Sequence, residues 1–317
     1  MNSPVPPPVA VGIDGCPGSA GALRYAVAEA TRRGAPLHVV HVSPGYGPLG
    51  SVPPVLGMAV PVSMAEVEDV GASIIEEATT TAHRINPDLE VVGHLVHGPR
   101  AASLVDLAAG AELMVVGRES RHRLERVLTG ATTAAVASRA PCDVVVVPSF
   151  WVVENAKDRV VVGIKARRHT HQLLSRAFAE ASARGASLTM VTAWELADAY
   201  LDRIEQRTHA AEWEADGQRL LDDLAAEWRT AYPDVRVETQ VEHGPAANVL
   251  RRVGEESDLL VVSRRHHALP PHGHLGSVAH AVLRLSEVPV LVVPFVEDPD
   301  EPALEGLALE EAGHALK

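Results

Sequence analysis

Glu112-Leu113-Met114-Val115-Val116-Gly117 and Asp258-Leu259-Leu260-Val261-Val262-Ser263 are the same short apolar run written twice, 146 residues apart (258 minus 112). Each copy is preceded by the same turn, His97-Gly98-Pro99 or His243-Gly244-Pro245. Each is followed at equal distance by Gly130-Ala131 or Gly276-Ser277. A constant offset of this kind marks a tandem duplication. A continuous branched run without alternation reads as a strand buried on both faces, as in a parallel sheet covered by helices.

Working outward, Val9 to Asp14 is a second such run, followed by Ser19 to Gly34, where Leu23, Ala26, Val27 and Ala30 recur at helical spacing and Gly34 stops the helix. The first half continues with a strand at 37–42, a Gly/Pro-rich loop at 44–61, and a helix at 64–85. A strand at 90–96, a helix at 101–109, the quoted strand, a helix at 132–138 and a strand at 144–147 complete it. The second half repeats the order and includes one long helix over 197–230. Strands alternating with helices imply right-handed crossovers. The fold class expected is α/β: two doubly wound, flavodoxin-like or Rossmann-like domains in tandem, each with a five-stranded parallel sheet. Residues 1–150 form the first domain, 151–157 a linker, 158–296 the second domain and 297–317 an acidic tail.

The chain has 317 residues and 46% hydrophobic content, enough for about two domains of roughly 150 residues. A net charge of −13 with only 3% aromatic residues argues against nucleic acid and anionic membrane as partners. Cys16 and Cys142 have no metal-ligand spacing and read as buried thiols in a reducing, cytoplasmic compartment. Arg24, Arg32 and Arg33 read as solvated. His266, His267, His272, His274 and His280 crowd one loop and helix without a Cys or carboxylate to complete a metal site, so no metal is expected. No nucleophile elbow, zinc-protease motif or Walker loop is present, and no catalytic set is expected.

Ligands of an open parallel sheet collect beyond the carboxyl ends of the strands, where the strand order reverses. Asp14 and Gly117 stand just past two such ends. Downstream of Gly117, Gly130-Ala131-Thr132-Thr133 opens a helix, whose unpaired N–H groups and close backbone approach suit a phosphate.

These residues resemble the universal stress proteins, whose ATP-binding signature is Gly-x2-Gly-x9-Gly followed by Ser or Thr. The first half reads Gly117-x2-Ser120-x9-Gly130-Ala131 and the second Ser263-x2-His266-x9-Gly276-Ser277. The resemblance implies a regulatory stress-response protein and not an enzyme, with ATP or AMP as ligand, with or without Mg²⁺. It implies that Asp14 bonds the adenosine, that the Val42 backbone meets the adenine, and that Gly117, Ser120, Gly130, Ala131 and Thr132 surround the phosphates. It further implies a homodimer; the apolar runs 144–147 and 290–293 would pair within the chain or between chains.

Two departures weaken the first site: Ser120 replaces a glycine and Ala131 removes a hydroxyl. The second copy departs further. Lys165 replaces the acid of Asp14, and Ser263 and His266 replace both early glycines, leaving Ala193, Gly276 and Ser277 in a weaker site. The expectation is nucleotide binding mainly in the first domain. The alternatives are an interaction protein that keeps the fold but has lost nucleotide binding and, third, a slow ATPase.

Overall fold

A computed structural model describes residues 6–43, 63–118, 130–153, 156–167, 170–264 and 275–294. In chain order the elements are β1 (Val9–Ile13), α1 (Ala20–Arg33), β2 (Leu37–Ser43), α2 (Met64–Ile85), β3 (Val91–His97), α3 (Arg100–Ala108), β4 (Leu113–Arg118), α4 (Gly130–Arg139) and β5 (Asp143–Pro148). They continue as β6 (Arg159–Gly163), α5 (His171–Arg184), β7 (Ser187–Trp194), α6 (Ala199–Thr208), α7 (Ala210–Arg229), β8 (Val237–His243), α8 (Ala246–Gly254), β9 (Leu259–Ser263), α9 (Ser277–Leu285) and β10 (Val290–Val293). The acidic tail and the Gly/Pro-rich loop fall outside the described residues.

Two compact units result. In the first, β3-β2-β1-β4-β5 run parallel, with α1 and α2 on one face and α3 and α4 on the other. Burial on both faces explains the composition: all six residues of β5 are buried, including Val144 to Val147, and such a strand has no use for alternation. β10 also belongs to this unit, adding antiparallel to β5 with Val290 opposite Val146 and Val292 opposite Val144. The two apolar runs thus pair within the chain. In the second unit β9-β6-β7-β8 run parallel.

The two units stop their first helix in the same way. Gly34 (φ 60°) and Gly185 (φ 61°) sit in the left-handed region after α1 and α5, their N–H groups returning to the last carbonyls. Glycine is favoured there because it has no Cβ to clash. The same two helices share a feature that sequence reading missed. Glu29 and Glu180 are buried on the helix that covers the sheet, and each is held by arginines one turn on. Glu29 takes Arg32 at 2.5 Å and Arg33 at 3.3 Å; Glu180 takes Arg184. Arg24 donates to the Trp151 carbonyl at 2.8 Å, and Trp151 packs edge-on to Tyr25. Arg24, Arg32 and Arg33 are therefore structural and not merely solvated.

Two further expectations are corrected. The long helix over 197–230 is two helices, broken at His209, whose φ of −129° and ψ of 10° leave the helical region. Cys16 is exposed and Cys142 half-buried, because both stand in turns at the ends of strands or helices where the sheet no longer covers them.

Glu29→Ala should lower the stability of the first unit by about 2 kcal/mol, the usual cost of breaking a buried pair discounted because both arginines reach water. Urea unfolding against wild type measures it. His38 and His94, on adjacent strands, lie with ring centroids 4.7 Å apart. Burial, then the neighbouring His94, holds His38 below the ordinary histidine value, with Glu90 opposing. A depressed folded value means that the unfolded chain takes up the proton first, so this stability is full above a pH of about 6.5 and is lost as pH falls below it. The urea midpoint should fall between about pH 7.5 and 5.5, and His38→Gln should flatten that slope.

Candidate functional site

The strand order of the first unit reverses between β1 and β4, so the crevice opens there, at the carboxyl ends of both strands. Three groups are fixed at its mouth. Asp14, one residue past β1, accepts the Cys16 N–H at Oδ1 (3.0 Å), closing a tight turn while the carboxylate stays exposed. Its Oδ2 makes no hydrogen bond among the described residues. The Ser19 hydroxyl donates to the Cys16 carbonyl at 2.9 Å and stiffens the same turn.

Gly117 explains itself by packing. A Cβ at this position would stand 2.7 Å from the Gly18 carbonyl oxygen, closer than any side chain tolerates, so the end of β4 must be glycine for the β1–α1 turn to lie against it. The Gly117 carbonyl accepts the Thr133 hydroxyl at 3.1 Å, which ties the start of α4 to the same point. The structure therefore brings together Asp14, Gly117 and the first turn of α4, with Gly130 and Ala131 opening that helix and Thr132 half-exposed beside Thr133. Ser120 lies outside the described residues.

Val42 is placed by strand alternation. Leu37 donates its N–H to Glu90 and Ser43 accepts the Gly98 N–H, both on the β3 side. The Val42 peptide groups consequently face β1, whose last paired residue, Ile13, lies opposite His41. Its side chain is buried while its backbone looks toward Asp14. His41 Nδ1 stands 3.0 Å from the Ile13 carbonyl and holds the two strand ends in register. The end of the next strand carries His97, whose Nδ1 lies 2.6 Å from Ser43 Oγ and whose Nε2 lies 3.9 Å from Glu68.

The second unit keeps the frame and changes the contents. Lys165 is exposed at the end of β6, Ser263 is exposed at the end of β9, and Ala193 is half-buried near the end of β7. Gly276 caps α9 without a side-chain hydrogen bond, and Ser277 is the first residue of that helix. His266 lies outside the described residues, as do the other loop histidines; only His280 is described. Gly244 donates to the Trp194 carbonyl just as Gly98 donates to Ser43, so Trp194 occupies the place of Ser43.

Sequence reading missed what this exchange builds. Trp194 stacks on Trp213 with centroids 5.8 Å apart and an interplanar angle of 15°, and meets the His243 ring at 4.3 Å. His243 Nε2 reaches Asp202 at 3.0 Å, and Asp202 also accepts the Leu196 N–H at 2.9 Å. The Leu196 N–H, then the His243 ring, holds the Asp202 carboxyl below its ordinary value. The only signal in the sequence was the pair of HGP turns, read as turns and not as histidines with carboxylate partners on the next helix.

The family model of the universal stress protein family matches residues 7–148 and again 157–294. A universal stress protein of Mycobacterium tuberculosis is 31% identical over 290 residues, covering 90% of this chain and 96% of its own. One of Mycolicibacterium smegmatis is 28% identical over 296 residues, with the same coverage. The crystal structure of a universal stress protein from Archaeoglobus fulgidus superimposes with a TM-score of 0.63 at 17% identity, covering 92% of this chain and 97% of that one. The chain belongs to the universal stress protein family, with two copies of its domain. Among the described residues no helix is long and apolar enough to cross a membrane.

No residue of α6 is buried, and it is tied down by the Asp202 contacts to Leu196 and His243 and by the Trp213 indole N–H donating to Glu205 at 3.2 Å. Asp202→Asn should raise amide exchange selectively across 199–208 and leave the first unit unchanged, as hydrogen-exchange mass spectrometry would read. Because the folded carboxyl is held low, wild-type α6 should likewise loosen as pH falls through the acid range.

Proposed function

We propose that this universal stress protein binds an adenine nucleotide, ATP or AMP with or without Mg²⁺, in the crevice of its first unit and acts as a regulator without catalysing a reaction. The carrying observation is the convergence of Asp14, the Val42 backbone and the α4 N-terminus on one switch-point crevice, held by the Gly117–Gly18 approach and the Thr133 hydroxyl bond. In this reading the outward Asp14 oxygen accepts the nucleoside hydroxyls, the Val42 peptide recognises the base, and the orphan N–H groups of α4 take the phosphates. The family membership supports the same assignment. The protein works in a reducing cytoplasm, where its two cysteines remain thiols.

A second reading is favoured for the second unit alone: an interaction domain that keeps the fold without the nucleotide. Lys165 replaces a hydrogen-bond acceptor with a cation, and Trp194, Trp213 and His243 form their own aromatic cluster at the strand end where the first unit has Ser43 and His97.

Calorimetry with ATP and AMP on nucleotide-stripped protein tests the proposal. Asp14→Ala should weaken binding by about tenfold or more, the loss of a charged hydrogen-bond acceptor, with thermal stability retained. Equal affinity in Asp14→Ala, or no binding by wild type, would sink the assignment, and ATP turnover that survives Asp14→Ala would contradict the non-catalytic reading.

A further inference from the structure

Most strand edges in this protein are closed to a partner. The outer edge of β5 is taken by β10. β8, the terminal strand of the second unit's sheet, carries Glu238 and Glu242, with Arg159 at 3.3 Å and Arg236 at 3.9 Å from the first and Arg252 on the second. Charged side chains along an edge discourage another strand from adding.

β3 has no such guard. Val91-Val92-Gly93-His94-Leu95-Val96-His97 contains no Lys, Arg, Asp or Glu, and its valines and Leu95 are half-exposed despite being apolar. It is the terminal strand of the first unit's sheet, and among the described residues no strand pairs with its outer side. The hydrogen bonds from Leu37 to Glu90 (2.8 Å) and from Gly98 to Ser43 (3.1 Å) define the alternation. Val92, His94 and Val96 direct their peptide groups to β2; Val91, Gly93, Leu95 and His97 direct theirs outward.

We infer that β3 is a homodimer edge, where a second copy of this chain adds its own β3 antiparallel about a twofold axis at His94. In that register Val91 faces His97 and Gly93 faces Leu95, so every outward peptide group of the strand meets one from the copy. Charge selects the direction. Asp88 and Glu90 precede the strand, and Arg100 follows it; all three are exposed and none forms an ion pair among the described residues. Antiparallel addition sets the acidic start of each strand against the basic end of the other, whereas parallel addition would set like against like. That pattern fits a copy of the same strand, because each end supplies what the opposite end lacks.

Sedimentation velocity on the full chain over a range of concentrations tests this. Val91→Pro removes an outward N–H at the first strand position, where proline is tolerated, and leaves the bonds to β2. Arg100→Glu puts an acid in the first turn of α3, which the helix accepts, and opposes it to the copy's Asp88 and Glu90. Wild type should dimerise reversibly, each variant should weaken the dimer by about tenfold or more, and Arg100→Glu combined with Asp88→Arg and Glu90→Arg should restore it. Circular dichroism checks that each variant is folded. A wild-type chain that stays monomeric throughout, or a dimer indifferent to Arg100→Glu and to its charge-reversed combination, overturns the inference.

Discussion

Val144 to Val147 are four consecutive buried valines, and the organisation of the chain follows from what they require. A strand covered on both faces favours apolar side chains along its length, with polar exceptions such as His41 and Thr189 held by hydrogen bonds, so most polar chemistry is pushed to the strand ends. The ends at the carboxyl side open between β1 and β4, where the helices depart to opposite faces. Asp14, Gly117 and Thr133 occur there and nowhere in the strand interiors. The Gly117–Gly18 approach then makes the crevice a fixed shape: position 117 cannot hold a larger residue without displacing the turn that follows Asp14.

Much of this was legible in the residues, for a definite reason. Two-sided burial leaves an unbroken apolar run, helix stops need glycine in the left-handed region, and a duplication writes each signal twice. The strand ends, Gly34 and the spacing from Gly117 to Gly130 were therefore readable. What could not be read were contacts between residues far apart in sequence or opposite in polarity to their surroundings. Glu29 and Glu180 went unread because their helical positions do not reveal that arginines cover them. The break at His209 was hidden because Glu205, Gln206 and Arg207 before it and Ala210, Ala211 and Glu212 after it all favour helix. His97 and His243 were read as parts of turns, since their partners Glu68 and Asp202 come from helices elsewhere in the chain.

The two copies show which parts of such a fold can drift. The caps, the buried glutamates and the HGP hydrogen bonds persist in both, because each is tied to the packing of helix on sheet. The residues at the strand ends differ between the copies: Asp14 against Lys165, Ser43 against Trp194, Gly117 against Ser263. In the second unit the space at the end of β7 is committed to Trp194, Trp213, His243 and Asp202, joined by ring contacts and the His243–Asp202 pair. Packing keeps the frame in both copies, while the side chains at the strand ends have diverged.

Native mass spectrometry of gently purified protein, with the bound nucleotide counted per chain, addresses this asymmetry most directly. A single adenylate per chain, displaced by Asp14→Ala, is the outcome this account predicts. Two adenylates per chain, or one that survives Asp14→Ala and disappears on substitution of Lys165, would contradict it.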